Sequence, residues 1–273
     1  MTGLKQARAD LASARELVQG RQPGKALPLF RRAAAVARES GDREIEADAE
    51  LGCGESLYLL DGRERESLPH LGRAAELAPG TALAAMAWMT AADALRVCGD
   101  IQASLAAHER AIELFVALQD VFGECLVRQG LGTLLVIQGR GEEALPHLER
   151  AAVLALGCDE PARAAEITMI HGELLLKLGR SAEAVPALEA GARLFQSLGD
   201  RQKEAQARAK LLVALNAVTS GRVVPYEQLI RMAELLAEEA AERGDFETEG
   251  ISQAALAQLL AEQDASAGDE RRE

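Results

Sequence analysis

Aromatic residues are scarce in this chain: one tryptophan, two tyrosines and five phenylalanines, 3% of 273 residues. Sheet cores draw on aromatic and β-branched side chains, and no β-branched run bounded by turn residues occurs, which excludes a strand-based fold. Only four cysteines are present (Cys53, Cys98, Cys125 and Cys158), too far apart for paired metal-ligand spacing; they read as small core residues. No apolar run of about 18 residues could span a bilayer. Residues 1–15 carry charges throughout, unlike a secretory signal. These absences predict a reduced, soluble, cytoplasmic protein without membrane insertion.

Positive charge is also lacking. A net charge of −13 argues against a nucleic-acid backbone as partner. The charge is uneven: residues 1–40 hold eight Lys/Arg against three Asp/Glu, and residues 232–273 hold three against twelve. Oppositely charged ends would favour head-to-tail self-association, or simply form a solvated surface with an acidic tail.

What is abundant is Ala, Leu, Glu and Arg, all good helix formers. Six glycines punctuate them: Gly20, Gly62, Gly99, Gly139, Gly179 and Gly221, at intervals of 42, 37, 40, 40 and 42 residues. A period of this size marks a stacked repeat whose single unit cannot bury a core alone. After each of the first five glycines a small, large, small series recurs: Ala26–Phe30–Ala33, Ser67–Leu71–Ala74, Ser104–His108–Ala111, Ala144–Leu148–Ala151 and Ala184–Leu188–Gly191. Steps of four and three keep each series on one helix face, where a neighbouring helix can interlock. A third ruler marks unit boundaries: Gly41-Asp42, Pro79-Gly80, Gln119-Asp120, Cys158-Asp159, Gly199-Asp200 and Gly244-Asp245. Glycine suits the residue that ends a helix and aspartate the cap that begins the next. Pro28, Pro69, Pro146 and Pro186 are expected in the opening turn of each second helix.

The reading is therefore an all-α solenoid of about six helix-turn-helix repeats, near 3–39, 43–78, 81–118, 121–156, 161–198 and 201–243, within one domain over 1–262. A capping helix follows at 246–262, then a disordered acidic tail at 263–273.

On these residues the chain resembles the tetratricopeptide repeat family. Leu131-Gly132, Leu135, Gly139, Ala144, Leu148 and Ala151 fall at its signature positions; Gly172, Leu175, Gly179, Ala184 and Leu188 repeat them. Trp88, Leu95, Gly99, Ser104 and Ala111 supply a third copy. The resemblance covers residues 3–243. Units near 40 residues are similar to the longer-helix variety of kinesin light chains, G-protein-signalling modulators and peptide-sensing bacterial regulators. Around Gly52 and Gly54 the register is open by one residue.

The resemblance implies a superhelix whose concave face is lined by each first helix. Its groove positions would be Met86, Met89, Asp93 and Arg96; Leu126, Gln129, Thr133 and Val136; and Glu166, Met169, Glu173 and Leu176. Methionines among an excess of acid imply a partner protein or peptide with apolar and basic character. The family's carboxylate clamp uses Lys and Asn, and Asn216 is the chain's single asparagine, which argues against one.

Catalytic and cofactor motifs are absent. Gly139–Ala144 (GRGEEA) mimics a dinucleotide-binding glycine pattern, but a helix precedes it and GRSAEA recurs one repeat later. His70 and His147 share a repeat position, no histidine has zinc-protease spacing, and His171 replaces a leucine beside Gly172. No cofactor, metal or enzymatic activity is expected. The function read from the sequence is an interaction scaffold or adaptor. The alternative is a bacterial-type regulatory module that senses a peptide or small ligand and acts on a separate signalling or transcription protein.

Overall fold

The computed structural model describes residues 2–219 and 226–269, so the sixth turn glycine, Gly221, and residues 270–273 lie outside the described residues. Among the described residues there are thirteen α-helices and no strand. They are α1 (Thr2–Gln19), α2 (Pro23–Ser40), α3 (Arg43–Tyr58), α4 (Glu64–Leu77), α5 (Ala82–Val97), α6 (Ile101–Ala117) and α7 (Val121–Ile137). The chain continues with α8 (Gly141–Gly157), α9 (Pro161–Lys177), α10 (Ser181–Leu198), α11 (Arg201–Thr219), α12 (Tyr226–Arg243) and α13 (Phe246–Asp269). Among the described residues, no helix is long and apolar enough to cross a membrane. Helix α13 runs on to Asp269, so residues 263–269 are helical where the polar composition suggested disorder.

The chain divides into two compact units, Met1–Leu134 and Leu135–Glu273, where the sequence reading treats 1–262 as one domain. Each is an α-solenoid segment in which a helix packs on its chain neighbours. In the first unit the series runs from α1 to α6, and the first helices α1, α3 and α5 also touch in turn. In the second it runs from α8 to α13, with α9 against α11 and α11 against α13.

Aspartates cap the helices that open a repeat, as their spacing suggests, and Asp100 caps a second helix, α6. Asp42, Asp100, Asp120, Asp200 and Asp245 each accept a backbone N–H three residues on, from Ile45, Ala103, Gly123, Lys203 and Thr248, at 2.9–3.3 Å. Thr81 does the same for Ala84. The left-handed residue before them is glycine at Gly41, Gly80, Gly199 and Gly244, but it is Gln119 (φ 56°) and Asp159 (φ 58°) at the other two boundaries. Asp159 thus ends a helix rather than capping one, and Glu160 takes the cap position. In the first turn the left-handed residue is Arg21 (φ 56°), next to Gly20.

The four prolines also differ from expectation. Each is the sixth residue of its helix, in the second turn of α2, α4, α8 and α10. With no N–H to give, each removes the helical bond to the carbonyl four residues earlier.

The large residues of α2, α4, α6 and α10 are seated on glycine. A methyl group added at Gly54 would lie 2.5 Å from Leu71, and one at Gly172 would lie 2.7 Å from Leu188, each pair within one repeat. Added at Gly52 it would meet the Phe30 ring at 2.3 Å, and at Gly130 His108 at 3.0 Å, each from the preceding repeat. Only a missing side chain admits such close approach. The pairing settles the register: Gly54 corresponds to Gly172 and Gly52 to Gly130, and the α3–α4 turn holds one extra residue.

Candidate partner-binding surface

None of the twelve positions named from the sequence is buried. Met86 and Thr133 are exposed, and Met89, Asp93, Arg96, Leu126, Gln129, Val136, Glu166, Met169, Glu173 and Leu176 are half-buried. Helical steps of three and four hold each set of four along one side of α5, α7 or α9.

In the first unit, Met89 packs against the cluster of Ala85, Ala111, Phe115 and Val127, which fixes the base of its side chain. Asp93 and Arg96 face each other on α5 at 3.8 Å. Beside Met86 lies a small pit of about 190 Å3 between α1, α2, α3 and α5, lined by Arg15, Phe30, Asp48, Gly52 and Glu55 among others. Arg15 Nη2 donates to Asp48 Oδ1 at 2.5 Å across α1 and α3. Burial, reinforced by the nearby Asp48 carboxylate, pushes the Glu55 carboxyl up to about 7. Burial likewise raises the Tyr58 phenol, with Asp93 adding to it.

In the second unit the acidic side chains of α9 are already matched. Lys210 Nζ donates to Glu173 Oε1 at 2.6 Å, and Lys203 forms the equivalent pair with Glu166. Lys203 also lies 5.7 Å from the Phe195 ring centroid. Met169 packs beside them on Ala165, Ala192, Phe195 and Ala207. The expected excess of acid on this stripe is therefore offset by α11.

No protein-family model matches the sequence, and no curated protein matches it. Solved structures do. The apo form of RapI aligns with a TM-score of 0.70 at 9% identity, over 95% of this chain and 72% of its own. Aspartyl phosphate phosphatase F from Bacillus subtilis gives 0.62 at 16% identity, over 95% and 71%. YrrB, described as a TPR protein with an unusual peptide-binding site, gives 0.59 at 20% identity, over 82% and 97%. The fold is that of tetratricopeptide repeats.

Within this tetratricopeptide-type fold, sequence reasoning missed the contributions of α3 and α11. The same three-four-three step, counted back from Gly62 with one residue added for the longer turn, selects Asp48, Leu51, Glu55 and Tyr58. The signal was present, but the extra residue hid it. Lys203 and Lys210 lie on a helix whose following turn glycine, Gly221, was assigned mainly by spacing.

Two of the histidines are held by internal contacts. His108 is 1% exposed, with Nδ1 2.9 Å from the Ser104 carbonyl oxygen. His70 Nδ1 lies 2.6 Å from Glu50 Oε2, a carboxylate that also accepts from Arg38. Among the described residues no group of three or more His, Cys, Asp or Glu could hold a metal ion.

Proposed function

We propose that this chain is a non-enzymatic interaction scaffold that holds a segment of a partner protein along its first-helix faces. The observation that carries the reading is the accessibility of these helix faces, taken unit by unit. The twelve regularly spaced side chains on α5, α7 and α9 are exposed or half-buried, none of them buried. Methionines at Met86, Met89 and Met169 can repack around a partner, and the charged residues beside them fix its register. A solenoid suits this task because it presents a long surface built from repeated positions. The peptide-binding site ascribed to YrrB supports the same use of the fold.

The internal pairing of Glu166 and Glu173 refines the partner's chemistry. Lysines already neutralise these carboxylates in the second unit, so apolar contact with the methionines and leucines supplies the attraction there. The first-unit acids are engaged as well, Asp48 with Arg15 and Asp93 with Arg96, while Glu55 holds its proton up to about 7. Apolar contact with Met86 and Met89 therefore leads there too, and a basic group of the partner competes with these arginines.

The test is affinity purification of the full chain from its native host, repeated with Met89→Glu and Met169→Glu. Both residues are half-buried against core clusters, so each variant is first shown to fold by circular dichroism. Loss of the same co-purified protein from both is the expected result. Retention of every partner by both folded variants would overturn this assignment.

A further inference from the structure

The second unit carries a cleft of about 800 Å3 between α8 and α10, floored by α9. Its floor residues, Thr168, His171 and Leu175, lie roughly opposite Glu166, Met169 and Glu173 on α9 at 100° per residue. This is a different surface from the stripe described above.

One floor residue departs from the repeat pattern. His171 occupies the position held by Leu131 one repeat earlier, where leucine is buried at 3% exposure. His171 is instead half-buried, at the floor of the cleft. The α8 wall is apolar: Leu145 is buried at its base, and Val153 (57% exposed) and Leu156 (54% exposed) stand open to solvent.

Carboxylates predominate among the polar side chains around this apolar surface, beside Thr168, His171 and Arg180. Pro146 and Pro186 both line the cleft, and each lacks the N–H that would bond the carbonyl four residues earlier, at Glu142 and Ala182. The carboxylates are Glu142, Glu149 and Glu183. Arg180 is committed to two of them, donating to Glu142 at 2.9 Å and Glu183 at 2.6 Å. Glu149 has no ion pair or hydrogen bond among the described residues. Burial lowers the proton affinity of His171, so the floor adds no positive charge. The cleft therefore combines an exposed apolar wall with a surplus of negative charge and acceptors.

We propose that this cleft is a second docking site, for an amphipathic, basic segment of a partner protein that packs leucine-like side chains on Leu145, Val153 and Leu156 and sets a lysine or arginine against Glu149. The exposed rim favours a segment longer than the cavity, since a small cation inside it would leave Val153 and Leu156 uncovered.

The full chain is titrated with a fluorescently labelled amphipathic peptide of leucine and lysine, with a leucine–glutamate counterpart as control. The lysine peptide should bind and the glutamate peptide should not. Glu149→Lys and Leu156→Asp should each weaken binding roughly tenfold. Glu113→Lys, the same charge change on α6, should change it by less than about twofold. In NMR spectra of the unmodified chain the His171 ring signals should shift as peptide is added. Equal losses from Glu149→Lys and Glu113→Lys would reduce the binding to diffuse charge attraction and overturn the proposal. Unmoved His171 signals, or equal binding of the glutamate peptide, would do the same.

Discussion

Lys210 Nζ donates to Glu173 Oε1 at 2.6 Å, and seven residues earlier on both helices Lys203 meets Glu166 in the same way. The two rungs tie α9 to α11. The Lys210 and Glu173 side chains are 19% and 29% exposed, so water screens their pair only in part. Glu173→Lys should lower stability by about 1 kcal/mol or more by setting two ammonium groups together. Combining it with Lys210→Glu should restore most of that loss in a thermal-melt cycle; additive losses would show that the rung carries no coupling.

Gln119 adopts a left-handed conformation that glycine takes at four other unit boundaries. Gln119→Gly should stabilise the chain by roughly 0.5–1 kcal/mol, the relief of strain exceeding the added freedom of the unfolded chain. Gly99→Ala, at φ 82°, should do the reverse. Urea titration of both variants checks the sign.

Leu188 and Gly172 form one of the tightest seats. Gly172→Ala should cost roughly 1–3 kcal/mol through overpacking, and Leu188→Ala roughly 2–5 kcal/mol through the cavity it leaves. The double variant should be more stable than the sum of the two implies, because the new methyl occupies part of the vacated space.

Much of this was legible in the sequence. Regular glycines and aspartates placed the helices because a left-handed stop and a side-chain cap are local chemistry. The register at Gly52 and Gly54 was not, since only contact with Phe30 and Leu71 distinguishes two glycines two residues apart. The prolines were misplaced by a turn because second helices start without a side-chain cap at Gln22, Arg63, Arg140 and Arg180. The lysines of α11 were missed because their partners lie 37 residues away on α9. Spacing within a repeat does not reveal a pair across repeats.

Glu55 gives stability an alkaline limb. Its carboxyl is raised from 4.5 to about 7, so the folded chain holds a proton that the unfolded chain releases in that window. Its contribution is full below the ordinary carboxylate value and is lost as pH rises through about 7. Glu55→Gln should remove this loss, gaining more over the parent at about pH 8 than at about pH 5 in denaturant titrations. A constant difference would mean that the carboxyl titrates normally.

His108 acts in the opposite sense. Burial lowers its proton affinity below the usual 6.5, against a smaller opposing effect of the Ser104 carbonyl. Its contribution is present above 6.5 and declines as pH falls towards its folded value. His108→Leu, which installs the residue found at Leu71, Leu148 and Leu188, should flatten the acid side of the stability curve.

The extra residue between α3 and α4 shows where this architecture tolerates change. Seventeen residues separate Gly54 from Leu71 and sixteen separate Gly172 from Leu188, yet each leucine finds its glycine. Connector length is thus uncoupled from helix interlocking. A foreign epitope grafted at Leu60–Arg63 would ride on the molecule harmlessly, whereas one residue added inside α3 would rotate every later side chain of that helix out of its socket.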